Sequence, residues 1–295
     1  METRWIQDFV TLAEVRNFTR AAELRNVSQA AFSRRIQALE HWLGATLVDR
    51  SAYPMRITEA GERFRPAAIA LLGQISDVRG DMSQGGARNQ VRIAMPYALA
   101  STRLSQWWRR WCPDPGMGCS VDTGNVHDAM TAFAAGTVDL VIGYHHALHP
   151  LVPDAGRSER LLLATETVRP YAAGGADGTP LQALPGTADR PVPLLMYSPS
   201  VYFARVVDTA IDSAPQALHG HRAMEAAMSD VLADLAQAGL GIAWLPDSSF
   251  VGGRYPRLVP AGGAQWAVQV DIVAWRARAN VRPGVHRIWE RMRGD

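Results

Sequence analysis

At about 150 residues per domain, a chain of 295 residues has room for two domains, and 47% hydrophobic against 20% charged residues is ordinary globular composition. That excludes disordered, collagen-like and disulfide-scaffold classes, and since no apolar run approaches the ~18 residues of a bilayer span, no membrane partner is expected. The net charge of +2 permits a nucleic-acid partner without demanding one. Its distribution is uneven: residues 1–90 hold twelve arginines against ten acids, and residues 16–56 hold seven arginines against Glu23, Glu40 and Asp49. All thirty basic side chains are arginine, in neutral regions too, which fits a genome-composition bias better than phosphate chemistry. Met1 to Asp8 mix charge into every turn instead of presenting the basic and apolar regions of a secretory signal, so the expected location is the cytoplasm. Cys112 and Cys119 are too few for a staple framework and wrongly spaced for a CxxC site, and read as reduced thiols.

The N-terminal sixty residues read as three helices and a wing. Trp5, Ile6, Phe9, Val10, Leu12 and Ala13 recur at helical spacing and give the first helix one buried stripe. Asn17 can cap a second helix in which Ala21 and Ala22 keep the packing face small, and after a turn at Asn26-Val27 the hydroxyl of Ser28 can cap a third. On that third helix Phe32, Ile36, Leu39 and Leu43 face the core, which leaves Gln29, Ala30, Ser33, Arg34 and Gln37 on the opposite face with donors suited to base edges and phosphates. Residues 47–50 and 56–58 read as two short strands around Tyr53-Pro54, with Arg50 and Arg56 placed to grip phosphate or the minor groove. From Thr58, a plausible N-cap, a long helix runs to about Gly80, with Phe64, Ala68, Leu71, Ile75 and Val78 spaced 4, 3, 4, 3 as in a heptad seam. A dimer seam is the preferred reading, beginning beyond the kink expected at Pro66; packing on its own domain is the alternative. Residues 80–90 lack periodicity and read as a hinge.

From Val91 onward strands and helices alternate, which predicts a two-lobed α/β domain with a mainly parallel sheet. Strands are expected at 91–95, 119–123, 138–143, 161–168, 194–197, 219–224, 240–245 and 268–274. Helices are expected at 100–111, 126–135, 201–211, 229–238 and 285–292. The domains are then 1–61 for DNA binding, 62–90 for the linker helix and hinge, and 91–295 for the two lobes. Lobe I takes 91–162 and 268–295, and lobe II takes 163–267. Strand ends and the N-termini of following helices line the cleft of such a fold and favour anions there. That nominates Ser101, Thr102, Thr123, Ser198, Ser200, Tyr202, Met228 and Ser229, with plain helix capping an equal alternative for Ser101, Ser200 and Ser229.

Three other clusters read as structural. His145, His146 and His149 follow a strand end without a carboxylate or cysteine at ligand spacing, so they are loop histidines and no metal is expected. Trp107, Trp108 and Trp111, with Arg109 and Arg110 between them, could stack on bases but fit a core face with solvated arginines better. Residues 174–178 lack the Lys-Ser/Thr of a phosphate loop and form a turn, and no GxSxG elbow or HExxH is present.

The stretch Phe18 to Ala22, Val27 to Ile36, Leu39-Glu40, Leu43-Gly44, Leu47 to Arg50 and Thr58 to Gly61 resembles the winged helix-turn-helix of LysR-type transcriptional regulators. Gly136 to Gly143 resembles the third effector-domain strand of that family, and Gly239 to Pro246 its second-lobe strand, so the resemblance covers nearly the whole chain. One departure is Ala30, where the family usually has proline; alanine keeps the helix well formed there. The resemblance implies a non-enzymatic regulator without a cofactor that binds a dyad-symmetric site on double-stranded DNA as a homodimer or higher oligomer, with RNA polymerase as a further partner. It adds Thr19, Arg20, Ser28 and Arg35 to the DNA-binding set.

Glu2 to Trp5, Arg16 to Phe18, Arg25 to Gln29, Pro193 to Ser198, and Met228 to Asp230 with Gly241 to Pro246 are similar to the hypochlorite-responsive branch of that family. This resemblance implies methionine oxidation as the trigger, with Met228 first and Met224 and Met196 behind it; residues 198–205 carry Phe203 and no methionine, a departure from a multi-methionine switch. A small metabolite anion remains an alternative signal. A solute-binding protein or enzyme on the same lobes is the rival class, and the lack of a nucleophile and base pair counts against it.

Overall fold

The computed structural model describes residues 2–51, 55–83, 90–113, 116–134, 136–150 and 156–294. Helix α1 (Thr3–Val15) buries Ile6, Phe9, Val10, Leu12 and Ala13. Helix α2 (Phe18–Leu24) starts where Asn17 Oδ1 accepts the N–H of Arg20 at 2.9 Å. Helix α3 (Gln29–Leu43) starts where Ser28 Oγ accepts the N–H of Ala31 at 3.3 Å, and it stops at Gly44, φ 67°. The wing pairs β1 (Val48–Asp49) antiparallel to β2 (Arg56–Ile57); the expected turn at Tyr53-Pro54 lies outside the described residues. Helix α4 (Glu59–Ser83) runs on through Pro66, after Thr58 Oγ1 has accepted the N–H of Gly61 at 3.1 Å.

The heptad stripe of α4 is divided. Its first half belongs to the chain's own helical module: Phe64 lies 5.4 Å from Phe9, ring to ring, and Ala68 and Leu72 are buried in the same core. Phe64, Leu71 and Ile75 are partly accessible, with Phe64 and Leu71 packed against that same core, and Val78 is 55% exposed. The seam, expected to begin beyond Pro66, is corrected at Ala68, which is buried in the helical module's own core.

The rest of the chain forms one mixed sheet in the order β4-β3-β5-β11-β6-β9-β7-β8, with β10 on β6. On the lobe I side are β3 (Gln90–Met95), β4 (Gly118–Thr123) and β5 (Leu140–His145), and on the lobe II side β7 (Val192–Tyr197), β8 (Gly220–Ala226), β9 (Ile242–Pro246) and β10 (Leu258–Pro260). The long strands β6 (Ser158–Ala173) and β11 (Val268–Ala277) run between them. Pairing is parallel for β3 with β4 and β5 and for β7 with β8 and β9, but antiparallel wherever β6 or β11 takes part. The expected mainly parallel sheet is thus corrected to two parallel halves joined by an antiparallel pair of crossings.

The helices are α5 (Tyr97–Thr102), α6 (Leu104–Trp111), α7 (Val126–Ala134), α8 (Tyr202–Asp212), α9 (Ser229–Gln237) and α10 (Pro283–Arg293). The single helix expected at 100–111 is two, broken at Arg103. Trp107 and Trp111 stack at 5.2 Å inside the core while Arg109 and Arg110 are exposed. No helix among the described residues is long and apolar enough to cross a membrane.

Candidate functional site

The exposed side of α3 carries Gln29, Ala30, Arg34 and Gln37, flanked by Ser28, by Thr19 and Arg20 on α2 and by Arg56 on the wing, all exposed. Phe18, Gln29, Ser33, Arg50 and Met55 line one concave patch beside it. Arg50 does not extend freely from the wing: it donates to Ser33 Oγ at 3.0 Å, reaches Glu40 at 3.4 Å and sits 5.1 Å over the Phe18 ring. Glu40 in turn accepts the N–H groups of Leu47 and Val48, tying the wing to α3.

Arg35 is a correction. It points to the opposite side of α3 and pairs with Asp8 at 3.3 Å; Asp8 is fully buried and also takes Arg25 at 2.8 Å. A buried carboxylate needs this company, so Arg35 holds α1 to α3 and is withdrawn from the DNA-facing set.

Between the lobes lies a cavity with about 560 Å³ of free space, part of it open to solvent. Its lining gathers the beginnings of four helices: Tyr97 and Ala98 of α5, Asn125 and Val126 at α7, Val201, Tyr202 and Phe203 at α8, and Met228 and Ser229 at α9. Tyr144 from β5 and Tyr197 from β7 complete the wall, with Phe203 4.4 Å and 5.4 Å from their rings. The nominated Tyr202, Met228 and Ser229 are there.

Ser101, Thr102, Thr123, Ser198 and Ser200 are not. The hydroxyls of Ser101 and Thr102 donate to the Ala98 carbonyl at 3.3 Å and 2.6 Å, as residues at the end of a short helix do, and Thr123 and Ser200 face solvent. Ser198 shapes the turn before α8, accepting the N–H of Val201. None of Ser101, Ser200 and Ser229 caps its helix; the N-cap positions of α5, α8 and α9 fall to Pro96, Val201 and Met228, which make no side-chain cap. Tyr144 was missed because it comes from the other lobe, far away in sequence; Tyr197 and Phe203, next to Ser198 and Tyr202, were missed because the expectation favoured hydroxyls at helix starts over aromatic rings.

The hydroxyls of this wall differ. Tyr202 Oη accepts the N–H of His146 at 2.7 Å and donates to the His149 carbonyl at 2.9 Å, and burial pushes its pKa up to about 12. Tyr197 Oη donates to the Trp244 carbonyl at 3.0 Å. Tyr144 is buried, and burial with the nearby Glu166 charge holds its pKa well above the usual phenol range, against the opposing effect of a hydrogen bond with Ser248. Behind it Glu166 Oε1 accepts the N–H of Ser248 at 2.6 Å and pairs with Arg103 at 3.3 Å, joining lobe I to lobe II where β6 crosses.

Of the three methionine candidates, Met228 is 40% and Met224 43% exposed, but Met196 is 3% exposed and is corrected to a core residue. Burial and neighbouring Cys112 push the Cys119 thiol up to about 12, so little thiolate forms to react. The histidines form no metal site: His149 Nε2 bonds Thr209 Oγ1 at 2.8 Å, and no group of three His, Cys, Asp or Glu among the described residues could hold an ion. His145 ends β5 and is therefore strand, not loop.

The two recurrent strand motifs have structural causes. Gly136 has φ 68°, and a Cβ there would meet Ile69 of α4 at 3.0 Å; a Cβ on Gly241 would lie 2.6 Å from the Pro193 carbonyl oxygen. Asp139, 1% exposed, takes Arg92 at 3.0 Å, Arg282 at 2.6 Å and Asn280 at 3.1 Å. Burial alone would raise its pKa, but the hydrogen bonds and charge of Arg92, with Arg282, outweigh that and hold it below the usual carboxylate value.

Residues 3–62 match the family model for the bacterial regulatory helix-turn-helix protein, lysR family, and residues 84–295 match the LysR substrate binding domain. The chain belongs to the LysR family of transcriptional regulators. Among its relatives is the HTH-type transcriptional regulator YjiE of Escherichia coli, 28% identical over 99% of this chain and 94% of the relative. DarR of Vibrio fischeri, solved in complex with DNA, is 30% identical with a TM-score of 0.62, covering 100% of this chain and 99% of that one. Full-length HypT of Salmonella typhimurium, a hypochlorite-specific LysR-type regulator, is 28% identical with a TM-score of 0.60, covering 100% of this chain and 98% of that one. Like these proteins, the chain is a DNA-binding transcriptional regulator and not an enzyme.

Proposed function

We propose that this regulator reads a dyad-symmetric site in the cytoplasm as a dimer or higher oligomer, and that oxidation of Met228 in the interlobe cleft is the signal that changes its grip. Gln29, Ser33, Arg34 and Gln37 face base edges, while Arg20 and Arg56 contact phosphate. Arg50 braces Ser33 and the wing at the same edge. Leu71, Ile75 and Val78 form the contact between copies, and RNA polymerase is the downstream partner. Leu71→Arg puts a charge into that contact and is expected to leave a monomer by light scattering with weakened operator binding; an unchanged dimer would remove the seam.

Met228 itself carries the signal reading. Its thioether is accessible, lines the cleft and occupies the N-cap of α9, where no side chain accepts the free backbone N–H groups. Hypochlorous acid transfers its oxygen to the sulfur and leaves as chloride and a proton, and the sulfoxide oxygen is an acceptor placed at an uncapped helix start. Capping α9 in this way favours whichever lobe arrangement lets that oxygen reach the N–H groups. Similarity to HypT, described as hypochlorite-specific, supports the same reading. The test is operator affinity of Met228→Ile and Met228→Gln with and without hypochlorite. Met228→Ile should be unresponsive and Met228→Gln fixed in the oxidised behaviour; an undiminished response in Met228→Ile eliminates this residue. A small anion in the same cleft is the second signal, favoured by the uncapped helix starts.

A further inference from the structure

We infer that lobe I carries a second, sequence-independent contact to DNA: a rim formed by Arg157, Arg278 and Arg293 that grips the phosphates of the duplex continuing outward from the bases read by α3. The inference rests on the assignment of α3 and the wing to DNA, and adds a surface outside the helical module. The charge behind it is local. Residues 157–160 and 276–294 hold eight arginines against Glu159 and Glu290, although residues 91–295 as a whole are balanced at eighteen arginines and eighteen acids. The end of β11 lies between the starts of β5 and β6, with Arg276 opposite both Leu140 and Glu159, so these segments meet at one end of lobe I.

There one carboxylate serves three guanidiniums: Glu159 takes Arg276 at 2.8 Å, Arg278 at 3.3 Å and Arg293 at 3.8 Å. Arg276 is 11% exposed and lies over the Trp289 ring, so it is a strut. Arg278 and Arg293 are 56% and 54% exposed, and Arg293 shares itself with Glu290 at 3.3 Å. Arg157, 42% exposed, is tied to Arg278, whose N–H donates to the Arg157 carbonyl at 2.8 Å. Arg160 and Arg282 pair with Asp271 and Asp139 and stand outside the rim. One shared carboxylate leaves positive potential at the surface, and each guanidinium presents a planar fork of donors that matches phosphate oxygens.

Position makes DNA the partner. Lobe I meets the helical module at two levels of α4. Farther along the helix, Ala134 packs against the module's core and a Cβ on Gly136 would touch Ile69 at 3.0 Å. In the first turn, Glu62 takes Arg157 at 3.5 Å. At 1.5 Å of rise per residue, Arg157 meets α4 about 10 Å nearer its start than Gly136 does. That start is joined to the wing, since the N–H of Thr58 donates to the Leu47 carbonyl at 3.0 Å. The rim is therefore on the wing side of lobe I and continuous with the DNA-facing surface. A duplex running on past the wing carries one negative charge per ~1.7 Å of its axis, and curving it toward lobe I brings those phosphates to the rim. The contacts so formed offset the cost of the bend.

The test uses the full chain and an operator selected from random duplexes, either trimmed to the selected bases or extended by about ten base pairs, one DNA turn, on each side. The parent should bind the extended duplex more tightly at low salt. Raising salt from about 50 to about 200 mM should cost it about tenfold more affinity on the extended duplex than on the trimmed one, the loss expected of two phosphate contacts. The double variant Arg278→Ala with Arg293→Ala should lose that difference and still bind the trimmed duplex as the parent does. Arg278→Lys with Arg293→Lys keeps both charges and should retain it. A parent indifferent to the flanks, an alanine variant that keeps the difference, or a lysine variant that loses it would each overturn the inference. Indifference to the flanks together with transcription by purified RNA polymerase lost only in the alanine variant would give the rim to an acidic protein surface instead. If the flanks matter but Arg34→Ala leaves the preference for operator over random DNA unchanged, the α3 assignment falls and the rim stands. If the flanks do not matter and Arg34→Ala relaxes that preference, the rim falls and the α3 assignment stands.

Discussion

In the helical module, Asn17, Ser28 and Thr58 each supply a side-chain acceptor where a helix begins, while α1 starts without one; around the cleft, Asn125 Oδ1 accepts the N–H of Asp128 at 2.9 Å at the start of α7, but α5, α8 and α9 begin at Pro96, Val201 and Met228, which supply none. Three of the four helix starts of the first region are satisfied by side chains, whereas three of the four at the cleft are not. Each region also buries an aspartate between two arginines. Asp8 takes Arg25 and Arg35 from within the same helical module, whereas Asp139 takes Arg92 and Arg282 from the two chain segments, far apart in sequence, that make up lobe I. The helical module is closed by contacts local in sequence and lobe I by distant ones.

The largest expected effect is at Asp139. Asp139→Asn removes the only carboxylate that Arg92 and Arg282 share in the described ion pairs, and is expected to cost about 3–5 kcal/mol in denaturant unfolding near neutral pH. Because the folded pKa of Asp139 is lowered, its stabilisation is fully present above the unfolded value of about 4 and is lost as pH falls through the folded value. The gap between parent and variant should therefore close in acid; a gap that is small at pH 7 or independent of pH would show that these contacts between its two chain segments are not what holds lobe I together.

Next come the neighbours Arg34 and Arg35, which separate reading from holding on one helix. Arg34→Ala should leave stability within about 0.5 kcal/mol and lower the ratio of operator to random-DNA affinity by about 1–3 kcal/mol. Arg35→Ala takes one of two partners from the buried Asp8 and should cost about 1–3 kcal/mol of stability while leaving that ratio unchanged. Reversed outcomes would move the DNA face round the helix by a residue.

What could be read from the sequence follows the same division. The faces of α3 could be assigned because Phe32, Ile36 and Leu39 fix one side and the remaining residues are left to the other. The misassignment of Arg35 arose from Asp8, a partner on α1 that no spacing rule on α3 announces. Periodicity also gave the α4 stripe without saying that Phe64 and Ala68 would be taken up by the helical module's own core. In the lobes, Met228 and Ser229 were found from the strand-then-helix rule. The cleft wall itself brings Tyr144 of lobe I against Phe203 of lobe II, which in turn meets Tyr197. The serines nominated there failed because a hydroxyl near a helix can bond back to a carbonyl, as Ser101 and Thr102 do, and composition does not distinguish the two uses.

The smallest effects test the caps directly and run in opposite directions. Ser28→Ala removes the acceptor for the Ala31 N–H and should destabilise the helical module by about 1 kcal/mol. At α8 the converse change is available: Val201 already has the extended N-cap backbone, φ −88° and ψ 141°, and is only partly buried, so a serine fits without strain. Val201→Ser gives α8 the acceptor it lacks and should stabilise the two-lobed unit by about 0.5–1 kcal/mol. The gain should appear in thermal unfolding of the free protein. A neutral or destabilising Val201→Ser would mean that the start of α8 is already satisfied in some other way, and the contrast would then rest on α5 and α9.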